Sequence, residues 1–209
     1  MNFIKSALGA ASLAAVMAPA LAAPVVLNFE GIADLSPVGN FYAGVGVTFS
    51  PATLALIDAD AGGSGNFANE PSASTVMFFL DASNAILTYA AGFTTGFSFF
   101  YSSSTAATVT VYDGLNGTGN VLGSLGLTAQ GFDNCSGDPT GQFCNWTAVG
   151  VAFSGIAKSI DFGGTANQTG FDDITFGSVT PGVPEPSTYA MLALGLAGIG
   201  FVARRRKAN

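Results

Sequence analysis

The sequence predicts an all-β fold, an antiparallel β-sandwich of the jelly-roll kind, set between two apolar terminal segments. Three observations lead there. Short stretches rich in Val, Ile, Phe and Thr recur through the middle of the chain, separated by Gly, Asn or Pro. Glycine fills 28 of the 209 positions, a composition suited to turns. Between Ala23 and Pro181 no helical periodicity of useful length appears, and there is no clear internal repeat.

In chain order the expected strands are Val25–Glu30, Val45–Ser50, Thr75–Leu80, Ala85–Ala90, Thr95–Tyr101, Ala107–Asp113, Ala148–Ser154, Lys158–Gly163 and Gly170–Gly177. Several alternate as half-buried strands do. Val109 and Val111 interleave with Thr108 and Thr110, and Val149, Val151 and Phe153 share one face. The domain they form spans 23–180, about 160 residues, enough for one core.

Residues 1–22 read as a signal peptide, which implies passage through the Sec translocon and cleavage by signal peptidase. Lys5 supplies the positive start, Ala7–Ala18 the short apolar stretch, and Ala20-Leu21-Ala22 the small-x-small cleavage pattern. Export makes sense of the only two cysteines, Cys135 and Cys144. Gly137, Pro139 and Gly141 lie between them and favour a turn, so a disulfide is expected in an oxidising compartment. With no histidine in the chain, a metal site built on these cysteines is disfavoured.

Charge is distributed unevenly. Of six basic residues, only Lys158 lies within the domain; the others are Lys5 and the cluster Arg204, Arg205, Arg206 and Lys207. All thirteen acids fall between Glu30 and Glu185. Such a surface repels phosphates, which excludes nucleic acid as a partner.

The tail, 181–209, has three parts: Val183-Pro184-Glu185-Pro186, the uncharged apolar run 189–203, and the basic cluster 204–207. As a helix the run would be about 22 Å long at ~1.5 Å per residue, short for a ~30 Å hydrocarbon core but workable with snorkelling arginines. The basic cluster belongs on the cytoplasmic side, leaving the domain outside. This arrangement resembles the PEP-CTERM sorting signal over Val183–Lys207. The resemblance implies recognition of Val183, Pro184, Glu185 and Pro186 by an exosortase, a membrane-embedded cysteine protease and transpeptidase. It also implies a transmembrane helix with Arg204–Lys207 as its stop. The host would be a Gram-negative bacterium that makes exopolysaccharide. The protein would be an inner-membrane intermediate first, then reach the cell surface, matrix or biofilm.

The ends of the domain carry a second resemblance. Asn28-Phe29-Glu30-Gly31 opens it and Gly170-Phe171-Asp172-Asp173-Ile174-Thr175-Phe176 closes it. These are similar to the terminal strands of galactose-binding-type carbohydrate-binding modules, whose acids help hold a structural calcium. Here that implies Glu30 with Asp172 or Asp173, a sensible set of hard oxygen donors. Strand alternation puts Asp172 on the face of Ile174 and Phe176 and turns Asp173 outward. A second acidic stretch, Asp58–Gly63, begins like an EF-hand loop but has Gly62 and Asn69 at two ligand positions, so a flexible loop is expected.

Catalysis has few means. Without histidine there is no Ser-His-Asp or Cys-His arrangement, and the disulfide consumes both thiols. Trp146, the lone tryptophan, is either a stacking platform for a sugar ring or a packed side chain. The expected function is an exported, exosortase-sorted surface or matrix protein without catalytic activity, associated with exopolysaccharide. A calcium-dependent carbohydrate-binding module is the alternative, and a small glycosidase a third reading.

Overall fold

A computed structural model describes residues 25–135 and 141–182. Eleven strands run in it: β1 (Val26–Leu27), β2 (Val47–Phe49), β3 (Leu54–Ile57), β4 (Thr75–Phe78), β5 (Asn84–Phe93), β6 (Gly96–Ser103), β7 (Ala107–Tyr112), β8 (Val121–Leu127), β9 (Thr147–Ala152), β10 (Ala157–Gly163) and β11 (Thr169–Phe176). The helical content among the described residues is two 3-10 turns, Ala43–Val45 and Ala59–Ala61. The regions expected to be signal peptide and transmembrane helix, 1–22 and 189–203, lie outside the described residues, as do the sorting motif and basic cluster. Among the described residues no helix is long and apolar enough to cross a membrane.

The strands form two sheets. One runs β3-β4-β11-β6-β9, with β1 on a second length of β11; the other runs β2-β5-β10-β7-β8. Every strand pair is antiparallel. From β4 onward the chain winds between the sheets, giving the orders β4-β11-β6-β9 and β5-β10-β7-β8. That is the double Greek key of a jelly roll.

Phenylalanine fills the space between the sheets. Phe97 and Phe99 of β6 stack at 5.5 Å, Phe162 of β10 meets Phe99 edge-on at 5.5 Å, and Phe171 of β11 meets Phe162 at 4.9 Å. All four are fully buried, each contributing about 2–3 kcal/mol through removal of apolar surface from water.

All nine expected strand regions contain a strand, and the differences have local causes. β3 was not anticipated because Leu54-Ala55-Leu56-Ile57 is continuously apolar and shows no alternation. β8 was hidden by Gly123 and Gly126, which weaken a strand signal. The stretch Asp58–Gly63 is not a loose loop. It forms a 3-10 turn closed by Gly63 N donating to Asp58 O at 2.9 Å, with Gly62 left-handed.

The strand that matters most for the site is β11. It pairs with β4 through Phe171 and Met77, and with β1 through Ile174 and Thr175. In between, its register against β6 shifts between Asp172 and Thr175, and Asp173 has φ of 48°. This bulge breaks the two-residue period. Phe171, Ile174 and Phe176 all join the core, and Asp172 pairs with Phe100 outside it, so Asp172 lies on the face opposite Ile174 and Phe176 rather than sharing theirs as alternation predicts; Asp172 and Asp173 are both buried all the same, at 0% and 1% exposure.

Candidate functional site

Where β1 gives way to β4 along the edge of β11, the sheet has a gap, and acids and hydroxyls fill it. Glu30 arrives from the end of β1, Ser72–Thr75 from the approach to β4, and Asp172 and Asp173 from the bulge. The structure thus brings together all three acids proposed from the sequence.

Each acid has different partners. Glu30 Oε1 accepts from the backbone N–H groups of Ser74 at 2.9 Å and Thr75 at 2.7 Å, which ties the β1 end to the start of β4. Asp172 Oδ2 accepts from Ser72 N at 2.9 Å and Ser72 Oγ at 2.8 Å, while its Oδ1 accepts from Asp173 N at 2.7 Å. Asp173 is the exception. Both its carboxylate oxygens are buried without a hydrogen-bond partner. Phe29 and Asp173, which flank the cluster, both hold positive φ, at 61° and 48°. Non-glycine residues adopt such backbone only where their surroundings force it.

Electrostatics follow from this geometry. Burial first, and then the charge of Asp173, raise the Asp172 carboxyl to about 8 against the opposing hydrogen bonds from Ser72 and Asp173 N. Burial, then the charge of Glu30, raises Asp173 to about 7. Tyr42 lies against the cluster. Its hydroxyl accepts from Phe29 N at 2.6 Å and is pushed up to about 12, by burial first and then by Asp172 and Glu30. Tyr42 and Ser72 were not anticipated as members of this site. The only sequence signal for either was the hydroxyl-rich run Ser72-Ala73-Ser74-Thr75.

The arrangement asks for positive charge. Two buried oxygens without donors, next to two further carboxylates, suit a hard cation. The carboxylates do not converge as a ready-made ligand cage, and no cluster of three or more His, Cys, Asp or Glu side chains poised for a metal occurs among the described residues. Glu30 and Asp172 spend oxygens on the 72–75 segment, leaving Asp173 as the donor still to be satisfied.

Trp146 sits elsewhere. Its ring packs edge-on against Phe67 at 6.0 Å and its indole N–H donates to Ala68 O at 3.0 Å. It is half-buried, and the indole forms part of the wall of a cavity of about 30 Å³ beside Phe67, Phe143 and Ser102, whose hydroxyl is buried and unpartnered. The Cys135–Cys144 disulfide, with Cα atoms 5.4 Å apart, fixes the chain next to Phe143 and two residues before Trp146.

Fold and site together define a jelly-roll sandwich with a buried acidic clasp joining its first and last strands. The C-terminal residues 182–207 match the model of the PEP-CTERM protein-sorting motif. The chain thus carries the signal for export and membrane-anchored sorting by an exosortase in Gram-negative bacteria. No curated protein matches the chain. Among solved structures it is similar to the K2 cleaved adhesin domain of Lys-gingipain, with TM-score 0.50 and 14% identity over 75% of this chain and 100% of that one. It also resembles a family 6 carbohydrate-binding module, with TM-score 0.41 and 14% identity over 73% of this chain and 92% of the module. A third similar structure is CsCBM6-3 from Clostridium stercorarium in complex with cellobiose, with TM-score 0.40 and 15% identity over 73% and 92%. At these identities the adhesin domain supports the fold alone.

Proposed function

We propose that this chain is a non-catalytic, exosortase-sorted protein of the cell surface or extracellular matrix, associated with exopolysaccharide, whose sandwich is clasped by a calcium ion at Glu30, Asp172 and Asp173. The observation that carries the calcium is the pair of buried, donorless oxygens on Asp173. Bound there, calcium supplies charge neutralisation, and the chain's own residues do the rest. Ser72, Ser74 and Thr75 orient Asp172 and Glu30 through hydrogen bonds. The bulge holds Asp173 buried beside Asp172, and the chain neighbours Phe29 and Ile174 belong to the hydrophobic core. The product is mechanical: first and last strands held to β4 in a domain that must survive outside the cell.

A glycosidase reading finds no support in the paired acids. Hydrolysis needs two carboxylates flanking an accessible bond. Asp172 and Asp173 are closed off from solvent, so a sugar cannot reach them. The carbohydrate-binding alternative has one observation in its favour, the aromatic cavity of Trp146, Phe67 and Phe143 with the unpartnered Ser102 hydroxyl.

Cosedimentation of the purified domain with its host's exopolysaccharide, in calcium and in chelator, tests the reading. Retention in both buffers is expected, with chelator lowering the melting temperature; release by chelator alone would favour calcium-dependent sugar binding. Retention lost in a Trp146→Ala variant that keeps its melting temperature would favour direct sugar recognition at the cavity. No retention in either buffer would remove the exopolysaccharide association.

A further inference from the structure

Half of the large apolar side chains exposed among the described residues are gathered at one end of the sandwich. Val25 lies there because Phe176 N bonds Val25 O beyond the β1–β11 pair Val26 and Thr175. Ile156 lies there because Ala157 pairs with Phe93, and its side chain closes on Gly92. Val121 pairs with Tyr112, which is itself opposite Ser159, and Val45 precedes the Val47–Tyr89 pair. Val179 rests on Gly96 and Gly150, two positions where a Cβ would collide with it. Val121 and Ile156 are 57% and 54% exposed.

The same end releases the C-terminal tail. The segment after β11 is strapped down: Gly177 N donates to Gly96 O, and Gly182 N donates to Thr175 Oγ1, both at 2.9 Å. The strap ends two residues before Pro184. From Gly182 to Tyr189, where the apolar run begins, the chain has seven residues, which reach ~25 Å at full extension. While the tail is anchored, this end of the domain is therefore held close to the bilayer. Charge does not oppose that orientation. Lys158, the one basic residue among the described residues, lies beside Ile156 with its stem near Gly92, and its charge faces Asp113. Anionic lipid would repel the acids Asp81 and Asp133, which the topology places at or near the opposite end.

We propose that the end formed by Val25, Val45, Val121, Ile156 and Val179 is a lipid-contact surface, seated on the outer leaflet of the inner membrane as long as the chain carries its C-terminal anchor. The inference rests on reading 182–207 as a sorting segment. A patch of five partly exposed aliphatics is too small to hold a free protein on a bilayer. Tethering makes the contact intramolecular, and weak affinity then suffices. Cleavage of the tail removes the tether, so the same act that processes the protein frees its surface.

The test uses the full chain in nanodiscs of phosphatidylethanolamine and phosphatidylglycerol that carry a headgroup nitroxide. A fluorophore is attached at Ile156→Cys, or at Leu80→Cys on the opposite end. Both native cysteines are bonded, so each new thiol is the one available to label. Quenching several-fold greater at 156 than at 80 is expected, and Val121→Asp should reduce it without changing the melting temperature. Equal quenching at both sites overturns the proposal. So does shielding at 156 that persists in the tail-less domain without lipid, which would mean a second copy covers the patch. Failure of the full chain to comigrate with nanodiscs would instead sink the anchor reading.

Discussion

Replacing Asp173 by Asn should stabilise the calcium-free domain, even though it removes a buried side chain's charge. The carboxyl has no hydrogen-bond donor to lose, and its ordinary value of 3.8 is raised to about 7 by burial and by Glu30. A carboxyl raised in the folded state holds its proton longer there than in the unfolded chain. The penalty is therefore absent below pH 3.8, grows through the interval, and is complete above about 7. At about 1.4 kcal/mol per pH unit the full shift corresponds to ~4 kcal/mol, and residual solvent screening brings it to about 2 kcal/mol. For a domain of this size that is about 4–8 °C in melting temperature. In chelator at pH 8 the Asn variant should melt higher than wild type by that amount, and at pH 4 the two should coincide. Saturating calcium should reverse the order, because wild type gains about 2.7 kcal/mol at a hundredfold excess over Kd and the variant gains little. A variant that melts lower than wild type in chelator at pH 8, or that responds to calcium as wild type does, would refute the reasoning.

Three further outcomes follow from the same geometry. Below pH 7, where both carboxyls hold their protons, Asp172→Asn should cost more than Asp173→Asn by about 1–3 kcal/mol, because Asp172 accepts three hydrogen bonds; parallel thermal melts check the ranking. Glu30→Gln should abolish most of the calcium-induced rise in melting temperature and, in chelator, weaken the Ser74 and Thr75 contacts by about 1 kcal/mol. Reducing the Cys135–Cys144 disulfide should lower stability by about 2–3 kcal/mol without unfolding the sandwich, as followed by circular dichroism with and without reductant.

Fold class could be read from the sequence because jelly-roll strands declare themselves one at a time. Alternation in Ala107–Tyr112 and β-branched or aromatic runs such as Thr169–Phe176 are local signals. The two strands missed are those whose pairing is decided by neighbours: β3, which lies beside β4, and the glycine-interrupted β8, which lies beside β7. At the site, the meeting of Glu30 with Asp172 and Asp173 followed from the motifs at the two ends of the domain. The face that Asp172 occupies and the burial of Asp173 did not, since a bulge is a tertiary compromise between β1, β4 and β6 all pairing with one strand. Ser72 and Tyr42 were hidden for a related reason. Neither is unusual for its surroundings in the sequence, and each matters through a contact with a residue 100 or 13 positions away.

The central claim is that this sandwich is cargo for a sorting machine, delivered outside and released from its anchor. Intact mass of the surface-released protein, taken from a host with its exosortase and from the same host without it, tests that claim most directly. With the exosortase, the released form should lack Arg204–Lys207 and the apolar run before them, and alanine at Pro184, Glu185 and Pro186 should leave the full tail in the inner membrane. A released protein whose mass still includes Arg204–Lys207 would contradict the account.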